Sequence, residues 1–118
     1  MGNRGFKDLK VWQIAKDKAV AIYKMTESGA VKNDYGLRDQ MRRAAVSVAS
    51  NIAEGDERST DKDSIRFFYM AKGSIAEIRT QLCIAQEIGY ISMVDFAAFD
   101  DEYDHLACMI GSLIKKRS

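Results

Sequence analysis

The stretch RRAAVSVASNIAEG, residues 42–55, decides the fold that this sequence predicts. With the residues back to Tyr35, it places apolar side chains at the three- and four-residue spacing of one helix face. That face comprises Leu37, Met41, Ala44, Val48 and Ile52. Small residues beside it, which would let a neighbouring backbone come close, are Ala45, Ser47, Ala49, Ser50 and Ala53. We therefore expect a helix over 35–54, ended by Gly55 and packed tightly against another helix.

The same periodicity predicts three more helices, over 8–26, over 61–88, and from about residue 92 to the C-terminal end. Short connections between amphipathic helices make neighbours in the sequence antiparallel. The expected fold class is all-α, an antiparallel up-down-up-down four-helix bundle. At 118 residues the chain has room for one compact domain, which we expect to span residues 1–118.

Capping residues and glycines mark the expected helix ends. Thr60 and Ser92 are each followed three residues later by an aspartate, a spacing typical of helix N-caps. Gly29 and Gly89 are suited to end helices, because glycine enters the left-handed conformation without strain. Gly73 inside the third helix predicts a tight backbone contact at that point.

Composition limits the classes of function. Hydrophobic residues make up 47% of the chain and charged residues 30%, without proline, as suits long helices. A net charge of +1 is far from the basic balance of a dedicated nucleic-acid-binding domain. No apolar run approaches the roughly 20 residues that span a bilayer, and residues 1–7 lack the apolar stretch of a secretion signal. We expect a cytoplasmic protein that does not bind membranes.

Few residues could carry catalysis or bind a cofactor. His105 is the only histidine, and neither a phosphate-binding glycine loop nor a zinc-type cysteine spacing occurs. The two cysteines, Cys83 and Cys108, lie too far apart on antiparallel helices for a disulfide. We expect no enzyme activity, no cofactor and no metal site. The alternative in this class is a bundle metalloprotein, with the candidate ligands Glu54, Glu77, Glu102 and His105.

A polar stripe follows the apolar face of the second helix, and a similar stripe follows the third. In an antiparallel pair, Arg43 would lie within a turn of Glu77, and Glu54 within a turn of Arg66, which predicts two ion pairs. The expected structural polar network comprises Arg43, Asn51, Glu54, Arg66, Ser74 and Glu77. Three interpretations stay open for the stripe: a solvated face whose ion pairs fix the register, a subunit interface, or a ligand or catalytic site.

Binding of RNA or DNA would need a local basic surface. The candidate contacts are Arg38, Arg42, Arg58 and Lys62. Affinity for phosphates grows with the number of charges neutralised, so one near-neutral protomer would bind weakly unless oligomerisation gathered these residues. Ordinary solvated surface residues are the other interpretation.

Five motifs resemble a known family. They are FKDLKVW at 6–12, YGL at 35–37, RRAAVSV at 42–48, NIAEG at 51–55 and AKGS at 71–74. In order and spacing they are similar to the bacterial four-helix-bundle proteins encoded by intervening sequences in 23S rRNA genes. The resemblance implies a homopentamer without established catalytic activity or cofactor. A related branch, the accessory variability proteins of diversity-generating retroelements, binds nucleic acid and a reverse transcriptase, but those proteins are markedly more basic.

The function we expect is therefore that of a non-enzymatic, self-assembling bundle whose partner is RNA, DNA or a nucleoprotein. A protein-interaction adaptor that binds no nucleic acid is the alternative.

Overall fold

A computed structural model describes residues 5–118 of the chain. In this range the chain forms four α-helices, two short 3₁₀ helices and no strand. The α-helices are α1 (Lys10–Met25), α2 (Tyr35–Asp56), α3 (Asp61–Glu87) and α4 (Met93–Arg117), and the 3₁₀ helices are Gly5–Asp8 and Ala30–Asn33. The expected all-α four-helix bundle is confirmed, and the helix bounds lie within two residues of those the sequence predicts.

The helix ends follow local capping chemistry. The Thr60 and Ser92 hydroxyls accept hydrogen bonds from the backbone amides three residues later, at 3.2 and 3.0 Å, so both expected N-caps are confirmed. Gly29 and Gly89 have φ angles of 72° and 88°, which L side chains rarely adopt. These two glycines therefore turn the chain after α1 and α3, as the sequence predicts.

Asp34 caps α2, a role that the sequence analysis missed. Its Oδ1 accepts a hydrogen bond from the amide of Leu37 at 3.2 Å, and its Oδ2 accepts one from the Tyr90 hydroxyl at 3.0 Å. Donation to this carboxylate raises the pKa of Tyr90. The aspartate thus fastens the α3–α4 turn to the start of α2.

The bundle is built around the pair α2 and α3, which make the most extensive helix–helix contact. α1 packs on α2 and α4 packs on α3, whereas α1 and α4 touch only sparsely. The core between the helices is mainly aliphatic, with Tyr103 and Phe68 as its largest fully buried side chains. The Tyr103 hydroxyl has no hydrogen-bond partner among residues 5–118, and burial raises its pKa.

Gly55 brings α2 and α3 together. A Cβ atom at Gly55 would lie 2.5 Å from the Phe68 ring and 3.1 Å from the carbonyl oxygen of Ser64. The expectation that Gly55 ends α2 is wrong, because this residue is buried inside the helix, which continues to Asp56. Its role is to lack a side chain where the Phe68 ring must fit.

Gly73 behaves in the opposite way. The sequence predicts a tight contact there, but a Cβ atom at Gly73 would meet no atom of the described chain within 4 Å. Gly73 is exposed on α3. Glycine inside a helix lowers stability by about 1 kcal/mol relative to alanine. Packing among the described residues does not explain why a glycine stands at this position.

Gly55→Ala is expected to lower the free energy of unfolding by about 1–3 kcal/mol, because the new methyl group overlaps the Phe68 ring. Gly111→Ala, inside α4, is the matched control. The atom nearest to its added Cβ is the Lys72 ammonium nitrogen at 3.8 Å, an ordinary contact. This control should gain about 0.5–1 kcal/mol from helix propensity. Urea unfolding followed by circular dichroism measures both, and a neutral Gly55→Ala would contradict the packing described.

Candidate interaction surfaces

Small hydrogen-bonding groups, rather than ions, form the polar link between α2 and α3. The Ser74 hydroxyl donates to the Ser47 hydroxyl at 3.0 Å, and Asn51 Nδ2 donates to that same oxygen at 3.0 Å. Asn51 Nδ2 also lies 3.0 Å from the Ser47 carbonyl oxygen. Asn51 and Ser74 are buried, so these bonds satisfy polar groups that would otherwise be costly to bury. They join the two helices close to the register that the sequence predicts.

The two predicted ion pairs are not formed within residues 5–118. Arg43 and Glu77 are exposed and line one cleft of about 390 Å³ between α2 and α3 without pairing. Arg66 does not pair with Glu54 but with Asp63 on its own helix, at 2.9 Å. An ion pair between exposed side chains on two helices stabilises a protein little, because holding two long side chains in place costs conformational entropy. Asp63 lies one turn from Arg66 on the same helix, a spacing at which ion pairs form readily.

Arg79 provides the ion link between α3 and α4, which the sequence analysis missed. Its guanidinium donates to both oxygens of Asp100, at 2.8 and 3.1 Å, and to Asp104 at 3.1 Å. The hydrogen bonds to Asp100 are the main reason that the pKa of Arg79 is raised. The signal in the sequence was the four-residue spacing of the two aspartates on one face of α4.

Arg117 fastens the other end of α4. Its guanidinium donates to the Ser64 hydroxyl at 3.2 Å and to Asp56 at 3.3 Å, and it stacks 5.3 Å from the centre of the Phe68 ring. In the structure it holds the C-terminal turn of α4 against both α2 and α3.

The four basic residues expected to contact nucleic acid do not form one patch. Arg38 and Arg42 lie in the first two turns of α2, whereas Arg58 and Lys62 lie around the α2–α3 turn. About 30 Å of helix separates the two groups. Within one protomer these residues therefore form two separate groups rather than a single basic surface.

Three of these four side chains already have partners in the fold. Arg38 pairs with Asp39 at 3.0 Å. Arg42 donates to the Thr26 hydroxyl at 2.8 Å, which ties the end of α1 to α2. Arg58 stacks on a phenylalanine ring and lies 3.8 Å from an aspartate oxygen. Lys62 is exposed and, in the part of the chain that the structure describes, has no ion-pair partner.

A different basic cluster lies where α1 begins and α4 ends. Lys10, Lys115 and Lys116, which we call the lysine corner, rim a shallow cleft between these two helices. Its remaining lining residues are Leu9, Val11, Met109, Ser112 and Leu113. No acidic side chain from residues 5–118 lines this cleft, so its three positive charges are locally unopposed.

The candidate ligands of the metalloprotein alternative are not brought together. Glu102 and His105 line a cleft between α1 and α4, where Glu102 pairs with Lys18. Glu77 lies in the separate cleft between α2 and α3. Among residues 5–118, no three histidine, cysteine, aspartate or glutamate side chains are grouped as a metal site requires. Both cysteines are free thiols, as the sequence predicts.

An apolar groove of about 610 Å³ lies between α1 and α2, and we call it the α1/α2 groove. Its apolar lining comprises Phe6, Trp12, Ala19, Val20, Tyr23, Val46, Ala49 and Ala53. Its charged lining comprises Lys16, Lys24 and Glu27. Val20, Tyr23 and Val46 are each more than 40% exposed, so the groove leaves three large apolar side chains in contact with water.

A second largely apolar surface follows α3 on the side away from the core, and we call it the α3 outer face. It consists of the exposed residues Tyr69, Gly73, Ala76, Thr80, Ile84 and Ile88. The spacing of three and four residues places them along one side of the helix. None of the α-helices in the described range is both long and apolar enough to cross a bilayer.

Comparison with known proteins gives a family and a fold. A family model described as 23S rRNA-intervening sequence protein matches residues 7–112. The crystal structure of a Bacteroides thetaiotaomicron protein of unknown function, from the S23 ribosomal protein family, superimposes with a TM-score of 0.81. That likeness covers 89% of this chain and 98% of the other at 20% identity, so it shows a shared fold. No curated protein matches.

Double-mutant cycles should separate the observed ion link from the expected one. For Arg79→Ala with Asp100→Ala we expect a coupling energy of about 1 kcal/mol, because the pair is bidentate and joins two helices. For Arg66→Ala with Glu54→Ala we expect coupling below about 0.3 kcal/mol, since these side chains do not pair. Free energies of unfolding give both values, and the larger coupling at Arg66–Glu54 would refute the described geometry.

Proposed function

The chain belongs to the family of 23S rRNA-intervening sequence proteins, and from that membership we propose that it is a non-catalytic bundle that assembles with copies of itself. The observation that carries this proposal is the pair of largely apolar surfaces, the α1/α2 groove and the α3 outer face. Monomeric proteins rarely leave large contiguous apolar surfaces in water, because exposing them costs free energy that association recovers.

Several features support a role without catalysis. The single histidine lies beside Glu102, whose carboxylate is already paired with Lys18. Ser47, Asn51 and Ser74 between α2 and α3 are engaged in joining the helices. A catalytic site needs a nucleophile or base held near a second polar group in a concave pocket, and the α1/α2 groove is lined mainly by apolar side chains.

A closed ring is the assembly we propose, with five copies as the number that the family resemblance implies. Cyclic rings use two different surfaces of each protomer, and this protomer has two largely apolar surfaces on different helices. The free thiols of Cys83 and Cys108 support the cytoplasm as the compartment of this assembly, because reducing conditions keep cysteines unpaired there.

Light scattering coupled to size-exclusion chromatography should give a mass of about five times the 13.3 kDa protomer. Because the interface is expected to be apolar, the mass should persist in high salt, where surface ion pairs are screened. A monomer mass at micromolar concentration would overturn the proposed self-assembly.

Nucleic acid is the second part of the proposal, and the lysine corner favours it. Lys10, Lys115 and Lys116 form a cluster of positive charge without an acidic neighbour in the cleft they rim. Ring symmetry repeats that cluster once per protomer, so an assembly offers many phosphate contacts although each chain carries a net charge of only +1. Lys62, at the same end of the bundle, would add to this surface.

Replacing Lys115 and Lys116 together by glutamine should weaken binding of an RNA hairpin or a DNA duplex. The slope of log affinity against log salt should become shallower by about 1.4–1.8, since two phosphate contacts are lost. The matched control is the double replacement Lys32→Gln and Arg38→Gln at the opposite end of the bundle, which should leave that slope unchanged. Fluorescence anisotropy measures both. If the wild-type protein binds neither the RNA hairpin nor the DNA duplex at low salt, the proposed nucleic-acid binding is wrong. The alternative, a protein-interaction adaptor, would then be the better hypothesis.

A further inference from the structure

We propose that the α3 outer face of one copy fills the α1/α2 groove of the next copy. This inference rests on the self-assembly proposed above and identifies the two surfaces that make it. The occupant of the groove is then a helix of this same chain, and each protomer both donates and accepts one helix face.

The two surfaces are similar in length. The groove runs along α1 from Trp12 to Lys24, about 18 Å at the helical rise per residue, and Glu27 extends its lining past the end of the helix. The members of the α3 outer face from Tyr69 to Ile84 span about 22 Å. A helix lying in a groove between two other helices is a common mode of protein recognition, because the apolar stripe of the helix is buried on both sides.

Small residues occur on both surfaces where the helices would come closest. Gly73 and Ala76 lie in the middle of the α3 outer face, and Ala49 and Ala53 line the α2 side of the groove. A Cβ atom at Gly73 would meet no atom of residues 5–118 within 4 Å, so a contact from another copy would make use of the missing side chain. The interface thus accounts for a helix glycine that the protomer leaves unexplained.

The charges around the two surfaces are complementary. Lys16 and Lys24 lie on the rim of the groove, against one acidic lining residue, Glu27. Lys16 also pairs with Asp17 on its own helix, so Lys24 is the basic residue of the rim without an ion-pair partner in the described range. Glu77 and Glu87 lie beside the α3 outer face, and neither has an ion-pair partner among residues 5–118. From Thr80 to Ile114 the chain contains no lysine or arginine, so this half of the α3 outer face meets the basic rim without like-charge repulsion.

The position of the surfaces fixes the type of symmetry. α1 and α3 both pack mainly through α2 rather than on each other. The groove and the α3 outer face therefore belong to different parts of the protomer, and their contact is heterologous, as in a ring. Pairing of two α3 outer faces about a two-fold axis would instead bury the same surface twice and stop at a dimer.

Two single variants and their mixture test this interface. Val46→Asp places a charge on the floor of the groove, and Ala76→Arg places a long charged side chain on the α3 outer face. Both positions are exposed, so both variants should keep the helical circular-dichroism signal of the wild type. Each variant alone should have the protomer mass of 13.3 kDa by light scattering.

Mixing the two variants should restore one contact only. The intact α3 outer face of the Val46→Asp chain docks in the intact groove of the Ala76→Arg chain, while the other two surfaces are blocked. The mixture should therefore give a species of twice the protomer mass and no larger one. Dimers of Val46→Asp alone would overturn the proposal in favour of two-fold α3 pairing, and a mixture that stays monomeric would also overturn it.

Matched controls are Val94→Asp and Ala98→Arg, exposed positions on α4 outside both surfaces. They should keep the wild-type mass, and loss of assembly in either would place the interface elsewhere. A wild-type protein that is itself monomeric overturns the proposed self-assembly, whereas wild-type assembly that survives both Val46→Asp and Ala76→Arg overturns only this choice of surfaces.

Discussion

The close approach of α2 to α3 is the constraint on which the remaining structure depends. Gly55 admits the Phe68 ring and the Ser64 backbone, and Ser47, Asn51 and Ser74 satisfy one another where larger polar groups would not fit. Because the contact at Gly55 leaves no room for a side chain, it fixes the relative height of the two helices at that end. α1 and α4 then pack on the outer sides of a pair that is already rigid.

The unequal packing of α1 and α4 follows from this central pair. α4 is held by Arg79 through two aspartates and by Arg117 through Asp56 and Ser64. α1 relies on apolar contact with α2 and on the tie between Arg42 and Thr26. The seam between α1 and α4 therefore stays open, and apolar side chains of α1 and α2 remain in water. This exposure is the physical basis for proposing that the protomer is completed by another copy.

The sequence predicted regular features well and long polar side chains poorly. Register between α2 and α3 followed from the short turn and the helical period, and the caps at Thr60 and Ser92 followed from local chemistry. Arg43, Glu54 and Arg66 were expected to pair because their positions were level. Two residues at the same height on antiparallel helices do not have to form an ion pair, because water also solvates flexible charged side chains. Arg66 instead pairs with Asp63, which lies nearer to it on the same helix.

By itself, the sequence determined the fold class, the helix ends and the family resemblance, because each depends on the order of residues and on contacts within a few positions. Only the tertiary structure decided the roles of Gly55 and Gly73, one buried against a ring and the other open to solvent. It also decided that Arg38 and Arg42 lie far from Arg58 and Lys62, and that Arg79 links two helices. These outcomes depend on how helices rotate and pack in three dimensions, which no local pattern of residues specifies.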